Sequence, residues 1–242
     1  MKKNLKILKM KDDSDKHTTH KDIIPSLPFR LILNMKTGGG KTNIIANLIL
    51  LPEFYGNDFY GSDIVIVSPV LNDRKMEKII EQKEIPEDNV ITEYDEDIID
   101  AHYEKMIEEF KERDEGGKKV HNKLFVFDDV SHSGNLAKKF SIVNKIFCNG
   151  RKHLISCITT QQYYYHISPS CKSNASALII GNTSDKNLDL ISDDHNYLGS
   201  RREFKDMFRN NVKERHDWIL INYDNPRDDM YLDKDFKRIH ST

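Results

Sequence analysis

Residues that could bind phosphate follow a short apolar run near the start of the chain. Residues 31–33, Leu-Ile-Leu, predict a buried strand, and the apolar spacing after Asn43 predicts a helix. Between them lies the run Lys36-Thr37-Gly38-Gly39-Gly40-Lys41-Thr42-Asn43. A strand, a glycine-rich turn, Gly-Lys-Thr and a helix in this order are typical of a phosphate-binding loop, whose backbone N–H groups surround an anion. We expect Lys41 to reach the β- and γ-phosphates of a nucleotide and Thr42 to hold Mg²⁺.

One position departs from the usual phosphate-loop pattern. Met35 stands where the first glycine is expected, so the loop must turn without it. The alternative interpretation is an ordinary glycine-rich turn in front of a core helix. Gly-Lys-Thr alone would be a weak signal, but three consecutive glycines between a strand and a helix favour the phosphate-binding loop.

Two carboxylates end a second apolar run. Residues 123–127 predict a buried parallel strand, and Asp128 and Asp129 follow it directly. Ligands of open α/β sheets gather at the carboxyl ends of the strands. We expect Asp128 to support Mg²⁺ and Asp129 to orient or deprotonate the attacking water. A strand followed by an aspartate-rich turn or helix cap is the alternative, but the phosphate loop upstream favours a nucleoside triphosphatase.

The segment 150–174 contains further candidate residues around a predicted strand at 153–160. Gln161 follows that strand and is expected to sense the γ-phosphate or the attacking water. Arg151 precedes the strand, so it lies far from its own nucleotide but could reach a neighbour's nucleotide in a ring. The alternatives are a turn residue for Gln161 and a surface ion pair for Arg151. Residues 163–166, Tyr-Tyr-Tyr-His, fit either base stacking or partly buried aromatic anchors.

The remaining pattern alternates strands and helices, which predicts a mostly parallel sheet with helices on both faces. Further strands are predicted at 64–67, 89–92, 177–180 and 218–222, and helices at 71–82, 98–113, 136–147 and 201–212. Residues 1–24 are predicted to form a polar, lysine-rich arm. Residues 25–242 are predicted to form one domain, in which 201–242 are a C-terminal extension with a basic helix and an edge strand.

Composition limits the classes of function. The chain has 242 residues, with 37 Lys and Arg against 39 Asp and Glu. It therefore has no overall basic excess of the kind that would indicate nucleic-acid binding. The three cysteines have no metal-ligand spacing, which fits reduced thiols in a cytosol-like compartment. No apolar run is long enough for a membrane span, so we expect no membrane partner.

The order of the motifs resembles the DNA-packaging ATPases of large double-stranded DNA viruses and virophages, the poxvirus-type branch of the FtsK–HerA class. The resemblance covers about residues 28–222 and rests on these pieces: MKTGGGKT, IVIVSP, LFVFDD, GRKHLIS, ITTQ and a final segment from Pro169 to Asn174. Two positions depart from the family pattern, since Lys152 replaces a usual histidine and Lys172 a usual arginine.

The resemblance implies a RecA-like, ASCE-type P-loop ATPase domain that binds ATP and Mg²⁺. It implies translocation of double-stranded DNA into a capsid by a homo-oligomeric ring, a hexamer or pentamer, with a capsid or portal-vertex protein as partner. The expected location is the host cytoplasm, a virus factory or the virion. The cation acting across the ring interface would be Arg151, Arg74 or Lys172.

Basic candidates for the surface of the DNA channel are Lys138, Lys139, Arg201, Arg202 and Lys205. Two alternatives stay open from the sequence. One is a helicase or a conjugation-type ATPase of the same class that acts on other DNA substrates, and the other is a P-loop kinase.

Overall fold

A single mixed sheet organises the part of the chain that the computed structural model describes, which is residues 23–69, 73–130 and 141–239. Eight strands form the sheet: β1 Arg30–Asn34, β2 Ile64–Val67, β3 Val90–Ile91, β4 Lys123–Phe127, β5 Ile155–Gln161, β6 Ala177–Gly181, β7 Trp218–Asn222 and β8 Tyr231–Asp233. Their order across the sheet is β3-β2-β4-β5-β1-β6-β7-β8. The first six are parallel, whereas β7 and β8 are antiparallel additions. The sheet is therefore mostly parallel, as predicted.

Seven helices connect the strands within the described ranges: α1 Lys41–Leu50, α2 Arg74–Lys83, α3 Glu96–Glu115, α4 Ile142–Asn149, α5 Pro169–Asn174, α6 Asp185–His195 and α7 Arg201–Asn211. Helices α2 to α7 each begin after an aspartate or serine whose side chain accepts a hydrogen bond from the first turn. Helix α1 differs, because Gly40 precedes it and no side chain caps its N–H groups. None of the helices in the described residues is both long and apolar enough to cross a membrane.

Both faces of the sheet are buried, because alternate residues of each strand point to opposite sides. On one face Leu33 and Val126 pack with apolar residues of α1 and α2. On the other face Ile32 and Phe125 pack with apolar residues of α3, α4, α6 and α7. The two apolar layers confirm the prediction of helices on both faces.

The sheet order brings the two sequence motifs close together. Strand β5 lies between β1, which precedes the phosphate loop, and β4, which precedes the two aspartates. Asn34 is in register with Gln161, and Phe127 is in register with Thr159. The three strands therefore end at one edge of the sheet, here called the C-terminal edge. The edge at which the parallel strands begin is called the N-terminal edge.

Most predicted elements are present with shifted ends, and some differ. The strand predicted at 153–160 begins only at Ile155, because residues 150–153 form a 3₁₀ helix and Leu154 is left-handed, with φ 56°. The predicted edge strand β7 is not at the edge, since the three-residue strand β8 pairs outside it. The N-terminal arm up to residue 22, the start of the helix predicted at 136–147 and the first two residues of the helix predicted at 71–82 lie outside the described residues.

Candidate active site

The phosphate loop turns sharply between β1 and α1 although Met35 replaces its first glycine. Gly38 and Gly40 adopt left-handed backbone conformations, with φ 73° and 103°, which side chains strongly disfavour. Met35 is fully buried beneath the loop. A Cβ atom on Gly39 would lie 3.1 Å from Met35 Sδ, and one on Gly181 would lie 3.0 Å from Met35 Cβ. The methionine is therefore accommodated because its neighbours lack side chains.

The loop leaves its backbone donors available at the start of α1. Gly40 cannot cap this helix with a side chain, so its first N–H groups and the positive end of its dipole face the loop. Lys41, the first residue of α1, is buried, and its Nζ donates a hydrogen bond to the Met35 carbonyl at 3.3 Å. Burial lowers the pKa of Lys41, and the charges of Asp129 and Asp128 oppose that shift. The loop thus combines a cation with free backbone donors.

The two aspartates are held by one threonine hydroxyl. Thr160 Oγ1 donates to Asp128 Oδ1 at 2.7 Å and accepts the Asp129 backbone N–H at 2.9 Å. Asp128 is buried, and this burial raises the pKa of its carboxyl group, whereas the Thr160 hydrogen bond and Lys41 act in the opposite direction. Asp129 has a left-handed backbone with φ 51°, which is uncommon for a residue with a side chain. Such strain is found where a side chain must point into a site.

One cavity of about 290 Å³ joins the loop to the aspartates. Its walls include Thr37, Gly38, Gly40, Lys41, Thr42, Asn43, Asp73, Lys75, Asp128, Asp129 and His216. Six of the eight predicted loop residues and both predicted carboxylates therefore surround a single space, whereas Lys36 and Gly39 are not part of its wall. The hydroxyl of Thr42 and the carboxylate of Asp128 are oxygen donors of the kind that Mg²⁺ prefers.

Two adjacent glutamines at the end of β5 point in different directions. Gln161 is buried, and its Nε2 donates to Thr159 Oγ1 at 3.1 Å. Its Oε1 has no hydrogen-bond partner among the described residues. Gln162 Nε2 instead donates to both carboxylate oxygens of Asp129, at 3.1 and 3.3 Å. The sensing role of Gln161 stays a prediction, and Gln162 is a contact that the sequence interpretation missed.

Arg151 lies in the 3₁₀ helix before β5, at the N-terminal edge and exposed to solvent. Arg30, at the start of β1, is close enough that its pKa is lowered first by burial and then by the Arg151 charge. Arg30 Nε donates to the Asn174 carbonyl. Two guanidinium groups thus lie near each other on the edge away from the cavity.

The other candidate cations are placed differently. Lys172 lies 3.9 Å from the centre of the Tyr164 ring and 3.2 Å from Asp194 Oδ2, so it is engaged within its own chain. Arg74 begins α2 next to Asp73 in the cavity wall. Neither position removes the prediction for Arg151.

Ion pairs with neighbouring carboxylates neutralise several of the basic residues predicted to line the DNA channel. Arg201 and Lys205 of α7 form ion pairs with Asp193 and Asp189 of α6, and Arg202 lies 3.6 Å from Asp206. Lys138 and Lys139 lie outside the described residues. The carboxylates of α6 therefore neutralise part of the basic face of α7.

The aromatic run after Gln162 divides between the two interpretations that the sequence left open. Tyr164 is fully buried and contacts His195, which makes it an anchor. Tyr163 and Tyr165 are about half exposed, at 48% and 52%, and pack against His166. Only the flanking tyrosines are available for an external contact.

A turn from the far end of the chain also reaches the phosphate loop. Residues 213–217 precede β7, and Arg215 Nε donates to the Gly38 carbonyl at 3.2 Å. His216 lines the cavity, and a Cβ atom on Gly40 would lie 3.7 Å from its Nδ1. The sequence gives no signal for this contact, because the two segments are 177 residues apart.

Comparison with known proteins gives one family and a consistent fold. The sequence profile of the family described as "Poxvirus A32 protein" matches residues 16–231, which is most of the chain. No curated protein sequence matches it.

Several solved structures share the fold at low sequence identity. The DNA-packaging ATPase B204 from Sulfolobus turreted icosahedral virus is 12% identical over 82% of this chain and 94% of that chain, with a TM-score of 0.54. The genome packaging NTPase B204 from Sulfolobus turreted icosahedral virus 2, in complex with AMP, is 12% identical over 81% of this chain and 93% of that chain, with a TM-score of 0.58. The pCW3 conjugation coupling protein TcpA, with ATPγS, is 15% identical over 80% of this chain and 57% of that chain, with a TM-score of 0.51. These likenesses confirm a P-loop ATPase fold.

Proposed function

Because this chain belongs to the poxvirus A32 protein family of viral DNA-packaging ATPases, we propose that it hydrolyses ATP in the cavity at the C-terminal edge and uses the reaction to move double-stranded viral DNA into a capsid. The observation that carries this proposal is the single cavity shared by the phosphate loop and the two aspartates. A loop that binds polyphosphate and a carboxylate that activates water are the two parts that ATP hydrolysis requires.

The residues at this site have separate roles in the proposed reaction. Backbone N–H groups of residues 37–43 surround the α- and β-phosphates, except that of Gly39, which donates to the Lys36 carbonyl at 3.0 Å. Lys41 neutralises charge at the β- and γ-phosphates. Asp129 accepts a proton from the attacking water or orients it, and Gln162 fixes the direction of that carboxylate. Gln161 senses the nucleotide state through its buried amide. Lys36, Gly38 and Gly39 give the loop its shape.

Thr42 and Asp128 are the residues that would hold Mg²⁺. Their oxygen donors fit this ion, and a divalent cation would also remove the penalty of ionising the buried Asp128 carboxyl. When bound, Mg²⁺ neutralises the charge that develops on the phosphates.

The proposal extends to the assembly. A homo-oligomeric ring, a hexamer or pentamer, would let Arg151 of one subunit approach the nucleotide of the next, and a capsid or portal-vertex protein would hold the ring. The host cytoplasm, a virus factory or the virion is the proposed location. The exposed position of Arg151 and its proximity to Arg30 support a contact with a neighbour's phosphate.

The test is ATP hydrolysis by the purified chain, measured without DNA, with duplex DNA and with single-stranded DNA. Duplex DNA should raise turnover, and Lys41→Ala should abolish it, because the loop loses the cation that neutralises the transferred phosphate. Arg238→Ala is a matched control, since Arg238 pairs with Asp229 away from the cavity. Turnover of Lys41→Ala at the wild-type rate contradicts the proposed site.

A conjugation-type or helicase activity is the second candidate function, and the likeness to the conjugation coupling protein is the observation that favours it. A motor of that kind engages single strands. Stimulation by single-stranded DNA alone therefore supports this second function and contradicts duplex translocation.

A further inference from the structure

We propose that Arg215 is a second phosphate-binding residue, supplied by the same chain as the phosphate loop, and that it contacts the phosphates that remain with ADP. The proposal rests on the proposed ATPase function and adds a residue to its site. Neither the loop motif nor the acidic strand includes this arginine, which lies in the turn before β7.

The guanidinium group of Arg215 packs directly against the phosphate loop. Its Nε donates to the Gly38 carbonyl at 3.2 Å. A Cβ atom on Gly38 would overlap the present position of Arg215 Nη2, and the left-handed backbone of Gly38 also disfavours a side chain. The arginine therefore lies beside the loop residue that forms part of the cavity wall.

The turn that carries Arg215 is rigidly built. Asp217 Oδ2 accepts the backbone N–H groups of Lys213 and Glu214, at 3.2 and 2.8 Å. Asp217 Oδ1 accepts a hydrogen bond from Lys234 Nζ at 2.8 Å. These hydrogen bonds hold the backbone of the turn and anchor it to the segment after β8, so the fold sets where the Arg215 side chain begins.

The sheet topology brings this turn to the nucleotide. Strand β7 is antiparallel, so it begins where the parallel strands end, with Trp218 in register with Gly181. In the sheet order, β7 lies on one side of β1 and the aspartate strand β4 lies on the other. Arg215 thus approaches the loop from the side opposite to Asp128 and Asp129. Because the transferred γ-phosphate must face the carboxylate that activates water, we expect a contact from the opposite side to reach the α- and β-phosphates.

The surroundings of Arg215 favour an anionic ligand. Arg201 and Arg209 of the preceding helix α7 form ion pairs with carboxylates of α6. Arg215 has no ion pair within the described ranges, and its hydrogen bond goes to a neutral carbonyl. A guanidinium group has five donors in a planar fork that matches phosphate oxygens, and one of those donors is used here.

The experiment measures the dissociation constants of ATP and ADP with Mg²⁺, together with kcat and KM, for the full chain and its variants. Arg215→Ala should weaken the binding of both nucleotides about 10- to 100-fold, the effect of losing a charged hydrogen bond. Since the contact is the same before and after hydrolysis, KM should rise with little change in kcat. Arg238→Ala is the matched control, because Arg238 pairs with Asp229 and is not part of the cavity wall.

Two conservative variants separate phosphate binding from a purely structural contact with Gly38. Arg215→Lys keeps the positive charge and should restore part of the affinity, whereas Arg215→Gln keeps a donor for the Gly38 carbonyl and should not. Restoration by glutamine, or wild-type affinity of Arg215→Ala, overturns the inference and leaves the ATPase function standing. A wild-type chain that binds neither nucleotide overturns both.

Discussion

The two edges of the sheet use charged residues in opposite ways. At the C-terminal edge, Lys41 and Asp128 are buried beside one cavity, and burial disfavours the ionised form of each. At the N-terminal edge, the buried Lys123 is neutralised by Asp63 and Glu109, while Arg151 is exposed near Arg30. The first edge thus holds unbalanced charge that a ligand can compensate, and the second holds a neutralised buried lysine and an exposed arginine near a partly buried one.

Because the two edges differ in this way, an arginine guanidinium group has a different proposed role at each edge. Arg215 contacts the phosphate loop of its own chain, where a cation improves binding in every state of the nucleotide. Arg151 is separated from that loop by the length of β5, so the proposed ring would bring it to the nucleotide of another subunit. A cation supplied by a neighbour accelerates hydrolysis to the extent that it binds the transition state more tightly than bound ATP.

The largest expected effect therefore belongs to Arg151. Arg151→Ala should bind ATP normally and lose about 10³- to 10⁵-fold in hydrolysis, the range for arginines supplied in trans. Mixing Arg151→Ala with Lys41→Ala subunits should restore some turnover, because some interfaces would join an intact loop to an intact arginine. The measurement is steady-state hydrolysis of the two variants, alone and mixed, on duplex DNA.

A normal rate for Arg151→Ala, measured while the protein is assembled on DNA, would remove the distinction between the two arginines. Arg238→Ala, a variant of an arginine in an exposed ion pair, should behave as wild type. A surface ion-pair role for Arg151 predicts no complementation by Lys41→Ala subunits.

The next effect separates two carboxylates that share the Thr160 hydroxyl. Asp129→Asn should still bind ATP with Mg²⁺ but hydrolyse it about 10²- to 10⁴-fold more slowly, since the carboxylate proposed to activate water is lost. Asp128→Asn should weaken the binding of ATP with Mg²⁺ itself. Single-turnover hydrolysis and equilibrium binding, measured on both variants, check the assignment. The opposite pattern would mean that the two roles are exchanged.

Local motifs explain how much of this site could be predicted from the sequence. The loop and the acidic strand are contiguous runs whose chemistry is visible in residue order, and the structure joins them across β5. The orientation of Gln161 and Gln162 was not predictable, because the strand end decides which amide faces Asp129. Arg215 depends on the packing of an antiparallel strand that residue order does not reveal. Strand β8 was missed because three residues carry too little periodicity.

The smallest expected effect is on the free energy of unfolding, and it tests whether buried charge lacks a compensating partner only at the C-terminal edge. Burial raises the pKa of Asp128 in the folded chain, so its ionised carboxylate is less favourable there than in the unfolded chain. Asp128→Asn should therefore increase the free energy of unfolding of the nucleotide-free protein by about 0.5–2 kcal/mol, as substitutions at strained functional sites commonly do. Asp63→Asn is the matched variant at the N-terminal edge, and it should lose stability because it removes a partner of the buried Lys123.

The gain in the free energy of unfolding for Asp128→Asn should be complete at pH values above the raised pKa. It should disappear as the pH falls through that pKa to the ordinary aspartate range, where the wild-type carboxyl is protonated in both states. Denaturant unfolding of both variants at neutral and acidic pH measures the two changes, and a loss of stability in Asp128→Asn at neutral pH would show that Lys41 and Thr160 already balance the carboxylate.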